Sequence, residues 1–215
     1  MGSLRRLRVL AVVLVLIAAA CSESPANAQR PPPGVCAALG SPLIGHDGHI
    51  MACSGKNLVA FERNGSTAWI APLGHTCKED ISPVAEGEEI YLVAEDKVIK
   101  ITPKKLHTAD PPSEVFFSYN STPGRSEEII GLATSGVYSS LLVTIRNRGL
   151  FSFSLRTGLQ WSAGPMLAYF DCRLGCKTNI SGCYFISAPV VDQWEETVYL
   201  SNTEGKLYSL YIRSG

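Results

Sequence analysis

What this chain lacks narrows its function before anything else does. Its unbroken apolar stretch, Val9 to Ala20, is too short to cross a bilayer as a helix. Past that stretch no basic cluster stands except Lys104-Lys105, so nucleic acid and anionic membrane have no electrostatic footprint. No segment after residue 28 keeps a 3.6-residue apolar period, which excludes a helical domain. There is no G-x-S-x-G, no phosphate-cradling glycine loop and no carboxylate pair with a supporting base. No catalytic residue, metal ligand or cofactor ligand is therefore assigned, and no enzyme activity is expected.

What is present begins with an export signal. Arg5, Arg6 and Arg8 precede the apolar stretch, and Ala26-Asn27-Ala28 supplies the small-x-small cleavage pattern, so residues 1–28 read as a signal peptide cut before Gln29. A competing reading takes Ala18-Ala19-Ala20-Cys21 as a bacterial lipoprotein site. Cleavage before Gln29 removes three basic residues and Glu23, which leaves 16 basic and 18 acidic side chains and a net charge of −2. It also leaves six cysteines: Cys36, Cys53, Cys77, Cys172, Cys176 and Cys183. An even count in an exported chain reads as three disulfides, whose pairing spacing alone leaves open. Three sequons, at Asn64, Asn120 and Asn179, fit a glycoprotein of the secretory pathway, although Pro123 weakens the second.

Residues 29–40 form a Pro-rich leader, and from Ser41 the character changes. Short β-branched and aromatic runs alternate with turn dipeptides such as Asp47-Gly48, Asn64-Gly65 and Thr157-Gly158. Four segments recur, over 41–74, 82–117, 128–162 and 187–215. Their third strands align as Leu58–Phe61, Val98–Ile101, Leu150–Phe153 and Leu207–Leu210, the spacing of propeller blades. A β-sandwich would also supply strands in quick succession, but has no reason to repeat a Gly turn followed by Trp at this spacing. The predicted fold is thus all-β, a partial β-propeller of about three and a half four-stranded blades. The last segment stops at Arg213-Ser214-Gly215, the counterpart of Arg156-Thr157-Gly158, so the chain is expected to be a piece of a longer protein. Made alone, it is expected to self-associate through open strand edges.

The turns Asn64-Gly65-Ser66-Thr67-Ala68-Trp69 and Arg156-Thr157-Gly158-Leu159-Gln160-Trp161 resemble the Trp-docked repeat of quinoprotein propellers. There the glycine takes the positive-φ position and the Trp wedges between blades. Trp69 and Trp161 are accordingly expected to be buried blade-docking residues. The repeat's usual Asp is replaced by Glu62, Ser154 and Tyr211, and the second segment has no Trp.

Other constellations have plainer readings. His46-Asp47-Gly48-His49 could suggest a metal site, but Asp-Gly between two strands reads as a hairpin turn bearing two exposed imidazoles. Cys172, Cys176 and Cys183 could form a thiolate site; in an oxidising compartment disulfides are favoured. In a four-stranded meander all six cysteines map to one rim, where loops on a rigid scaffold can build a recognition surface.

Asn64-Gly65-Ser66-x-Ala68-Trp69, Arg173-Leu174-Gly175-Cys176 with Cys183, and Asn202 to Leu210 together resemble the plant GAMETE EXPRESSED 3 proteins across most of residues 41–215. That resemblance implies an extracellular quinoprotein-type propeller, a membrane anchor in the full-length parent, a plasma-membrane location in gametes and a role in reproduction including pollen-tube guidance. The favoured reading is a non-enzymatic recognition propeller for an unknown extracellular protein or ligand, with no specific oligomer. The alternatives are a quinone-cofactor oxidoreductase, disfavoured by the lack of adjacent cysteines, and a lumenal sensor of the stress-kinase type.

Overall fold

A computed structural model describes residues 39–107, 112–119, 127–164, 167–169, 172–174 and 184–215, the two short pieces 167–169 and 172–174 by backbone alone. The first sheet holds β1 (Leu43–Ile44), β2 (Ile50–Ser54), β3 (Asn57–Phe61) and β4 (Thr67–Pro72). The second holds β5 (Val84–Glu86), β6 (Glu89–Ala94), β7 (Lys97–Ile101) and β8 (Ser113–Ser118), with a 3₁₀ turn over Pro103–His107. β9 (Ile129–Ser135), β10 (Ser140–Ile145), β11 (Gly149–Ser154) and β12 (Gly158–Ala163) make the third. A hairpin of β13 (Leu167–Tyr169) and β14 (Cys172–Leu174) interrupts the crossover to the fourth sheet, formed by β15 (Val190–Asp192), β16 (Thr197–Ser201) and β17 (Leu207–Tyr211). Every pairing is antiparallel and spatial order follows chain order, so each sheet is a meander. Among the described residues no helix is long and apolar enough to cross a membrane.

The core is divided into three layers, each shared by two successive sheets. Strand periodicity explains the division, because neighbouring side chains point to opposite faces. On β6, Ile90, Leu92 and Ala94 join Met51, Leu58 and Ala71 of the first sheet, whereas Tyr91 and Val93 join Leu141 and Val143 of the third. On β10, Leu141, Val143 and Ile145 face backward and Leu142 faces forward onto Val198 and Leu210. A strand buried on both faces reads as a continuous apolar run, as residues 90–94 and 141–143 do within β6 and β10. The first strands form the inner edge, with β9 lying against β5 on one side and β15 on the other. Stacked meanders turning about a common inner edge are propeller blades.

Two contacts set the blade spacing. Gly131 on β9 lies so close to the fourth blade that an added Cβ would sit 2.3 Å from the Ala188 Cβ. Trp161 Nε1–H donates to the Ile212 carbonyl at 2.7 Å and so ties β12 to the end of the fourth sheet. Gly65 and Gly158 occupy matching turns with φ of 88° and 92°, a region that a side chain disfavours.

Three expectations need correction. The sequence reads the third segment's second strand over Val137–Ile145, but it begins at Ser140, because Gly136 to Ser139 form the β9–β10 turn. The stretch read as a Cys-bearing loop contains the β13–β14 hairpin, with Cys172 opposite Tyr169. Trp69 and Trp161 are half-buried rather than enclosed, since both lie on the outermost strand of a blade.

Candidate functional site

A meander has two rims. The β1–β2 and β3–β4 turns and their equivalents form the turn rim; the β2–β3 turns and the connections between blades form the crossover rim. On the crossover rim Cys53, near the end of β2, is disulfide-bonded to Cys77 in the passage to the second blade. Nearby, Lys78 Nζ reaches Glu128 at 3.2 Å and the Ile129 carbonyl at 3.2 Å, and Arg146 Nη2 lies 2.6 Å from Glu128. Covalent and ionic ties therefore lace the passages from the first to the third blade.

The turn rim carries the more distinctive side-chain arrangement. Asp47 in the β1–β2 turn accepts from the His49 backbone N–H at 3.0 Å and meets His49 Nδ1 at 2.7 Å. Glu62, at the start of the β3–β4 turn, meets Nε2 of the same ring at 3.2 Å. The ring is held between two carboxylates, and His49 is half-buried, which corrects the expectation of two exposed imidazoles; His46 alone is exposed. The hydrogen bonds to Asp47 first and Glu62 second hold the His49 pKa above its ordinary value. Partial burial pushes Asp47 up, but its hydrogen bonds with His49 outweigh that and leave it below the usual carboxylate range.

Beside this clasp, a groove of about 300 Å³ opens between the first two blades. Met51, Trp69 and Ile90 supply apolar lining, while Asp47, Glu88 and Lys104 supply charge. Lys104 is paired with Glu88, and both side chains are exposed. The groove is at the small end of ligand-pocket volumes and suits a side chain or a small polar ligand. Among the described residues no group of three or more His, Cys, Asp or Glu side chains is placed to hold a metal ion.

The fold and these residues can be set beside known proteins. No protein-family model matches the chain. Protein GAMETE EXPRESSED 3 of Arabidopsis thaliana is 38% identical over 172 residues, which are 80% of this chain and 26% of that protein. Over that span the chain is similar to the GAMETE EXPRESSED 3 proteins, which supports assigning it to them. It spans about a quarter of that curated relative's length. Among solved structures, the Cps50 (Swd1) β-propeller domain of Myceliophteria thermophila superposes with a TM-score of 0.56 at 13% identity, over 80% of this chain and 50% of that one. A quinoprotein alcohol dehydrogenase-like protein of Bacteroides thetaiotaomicron gives 0.50 at 14% identity, over 80% of this chain and 43% of that one. These two similarities establish the propeller fold alone.

For this GAMETE EXPRESSED 3 relative, the sequence-predicted positions are distributed as follows. Trp69 packs against the layer between the first and second blades, and Trp161 against that between the third and fourth. Asn64 is exposed in the β3–β4 turn, where its Oδ1 accepts from Ser66 N–H at 2.9 Å and Ser66 Oγ–H at 2.7 Å. Cys36, Cys176, Cys183, Asn120 and Asn179 lie outside the described residues.

Sequence reasoning missed two features. The second blade fills its Trp position differently: a bulge at Phe116 breaks the alternation, so Phe116 and Phe117 both pack into the layer shared with the third blade. Phe116 meets Tyr91 edge-on at 5.3 Å, and Phe117 meets Phe153 at 4.6 Å. The adjacent phenylalanines were the available signal. The clasp was missed because Glu62 looked like a defective repeat residue rather than a partner for His49.

Proposed function

We propose that this chain is part of an extracellular, non-catalytic recognition propeller acting in plant gamete function and reproduction, including pollen-tube guidance. The observation that carries the reading is the 38% identity to GAMETE EXPRESSED 3 along most of the chain. The disulfide between Cys53 and Cys77 supports an oxidising compartment, and the Asn64 turn supports a glycan there. In this reading residues 1–28 direct export, the full-length parent is anchored at the plasma membrane, and the rims present loops to a partner.

The test is a fluorescent fusion of the parent gene together with a loss-of-function allele. The expected result is signal at the gamete surface, with misdirected pollen tubes or reduced seed set in the mutant. Signal confined to the cytosol, or normal fertilisation in a verified null plant, would overturn the reading.

A further inference from the structure

We infer that the β15–β16 turn is a preorganised anchor for a cationic segment of a partner protein, with Trp194 as its aromatic contact. Trp194 is 96% exposed, against 58% for Val137 on the neighbouring β9–β10 turn. Leaving an indole in water forgoes a large apolar burial, so such a side chain calls for explanation.

The residues around it are committed to holding the turn. Asp192 Oδ1 accepts from the backbone N–H groups of Trp194 and Glu195 at 2.8 and 3.1 Å. Gln193 is bonded to the inner strand of the third blade twice: its Nε2–H donates to the Thr134 carbonyl at 3.0 Å, and its Oε1 accepts from Ser135 Oγ–H at 3.2 Å. Tyr199 donates to Glu195 at 2.9 Å, and Tyr138 donates to Glu196. Gln193, Glu195 and Glu196 are exposed as well, but these bonds tie each of them back to the scaffold. A rigid, exposed Trp offers contact area at low ordering cost, which is why Trp is enriched among the residues that dominate interfaces.

Charge identifies the occupant. Asp192, Glu195 and Glu196 flank Trp194 along the turn, whereas in the corresponding turn of the second blade Glu88 is paired with Lys104 and Glu89 with Lys100. Arg213 follows Ile212, whose backbone N–H donates to the Glu196 carbonyl, and its charge acts on Tyr138, so it offsets part of the negative charge at Glu196 and leaves Asp192 and Glu195 as the excess. The β15–β16 turn itself is therefore acidic on balance, with a π-face beside its carboxylates. A Lys- or Arg-bearing segment satisfies both, by cation–π contact with Trp194 and by charge complementarity with the carboxylates. This inference rests on the recognition reading and names its partner chemistry.

The test uses the full chain and a fluorescein-labelled oligo-arginine peptide, with an oligo-glutamate peptide as control, read by anisotropy. Saturable binding of the cationic peptide alone is expected, weakened about five- to thirtyfold in Trp194→Ala with the unfolding midpoint unchanged. Glu195→Gln keeps the acceptor for Tyr199 and should also weaken binding. Equal binding by Trp194→Ala would reduce the effect to undirected charge and overturn the site, as would no binding by the folded wild type. A wild-type dimer that Trp194→Ala dissolves would make a second copy the occupant and overturn the proposal. A surface-localised parent that binds its target cells equally well with and without Trp194 would sink this site while the recognition reading stands; a cytosolic parent would sink that reading itself.

Discussion

At position 62 the chain has Glu where the Trp-docked repeat has Asp, and one extra methylene redirects the side chain. Ser154, at the equivalent place in the third blade, accepts from the Arg156 and Thr157 backbone N–H groups at 3.2 Å each and so does the turn-capping work locally. Glu62 instead reaches across the blade to His49. The outcome is a pH dependence whose sign follows from the pKa directions. His49 is raised above 6.5 when folded, so its contribution is whole below 6.5 and fades as pH rises through the folded value. Asp47 is lowered below 3.8, so its contribution holds above 3.8 and is lost only as pH falls through the depressed value. The clasp is strongest in mild acid. Thermal melts should show wild type exceeding His49→Gln by more at about pH 5.5 than at about pH 8.5. A gap independent of pH would mean that His49 does not bridge the carboxylates as a cation.

The outermost strands share one device used in two ways. In the first and third blades a register shift lies just before Trp69 and Trp161, at Ala68 and Gln160, and the Trp then packs toward the next blade. In the second blade the bulge lies at the opposite end of the strand, and Glu114 takes the position opposite Lys100, with the two charges 3.3 Å apart. Bulges re-aim side chains, and here they decide which residue fills the inter-blade layer. Trp161→Phe should therefore cost about 1 kcal/mol by freeing the Ile212 carbonyl, and Trp161→Ala about 2–3 kcal/mol, held down by half-burial. Urea unfolding of the two variants measures both. Equal losses would show that the ring's packing contributes nothing beyond its hydrogen bond. On the inner edge, Gly131→Ala should cost about 1–3 kcal/mol, because the added Cβ must displace Ala188 or separate the blades. A variant as stable as wild type would show that the fourth blade shifts freely.

Across the whole molecule, cohesion comes from repeated face-to-face contacts rather than from one central core. Each layer is supplied by two sheets, so every blade depends on its neighbours. The Cys53–Cys77 bond joins the first blade to the passage leading into the second, closing a loop between cysteines 24 positions apart. Cys53→Ser should lower stability by about 2–4 kcal/mol, and because Cys53 and Cys77 both lie in the first layer, the loss should be concentrated in the first two blades. Hydrogen exchange on wild type and variant would locate the effect; uniform loss of protection through the fourth blade would show instead that the arc unfolds as a single unit.

The blades were legible because their determinants are local. Turn glycines at 65 and 158, the third-strand runs and the Trp after each turn all lie within one hairpin, where spacing carries the information. Disulfide bonding was likewise readable from an even cysteine count, although the Cys53–Cys77 pairing was not. What the tertiary structure alone decided is which side chains meet across blades. Trp161 and Ile212 are 51 positions apart, Gln193 and Thr134 are 59 apart, and no local rule pairs them. The same holds for the exposure of Trp194. A Trp in a sequence reads as something to bury, and only the packing of the β15–β16 turn against the third blade leaves the indole in water while its polar neighbours are held.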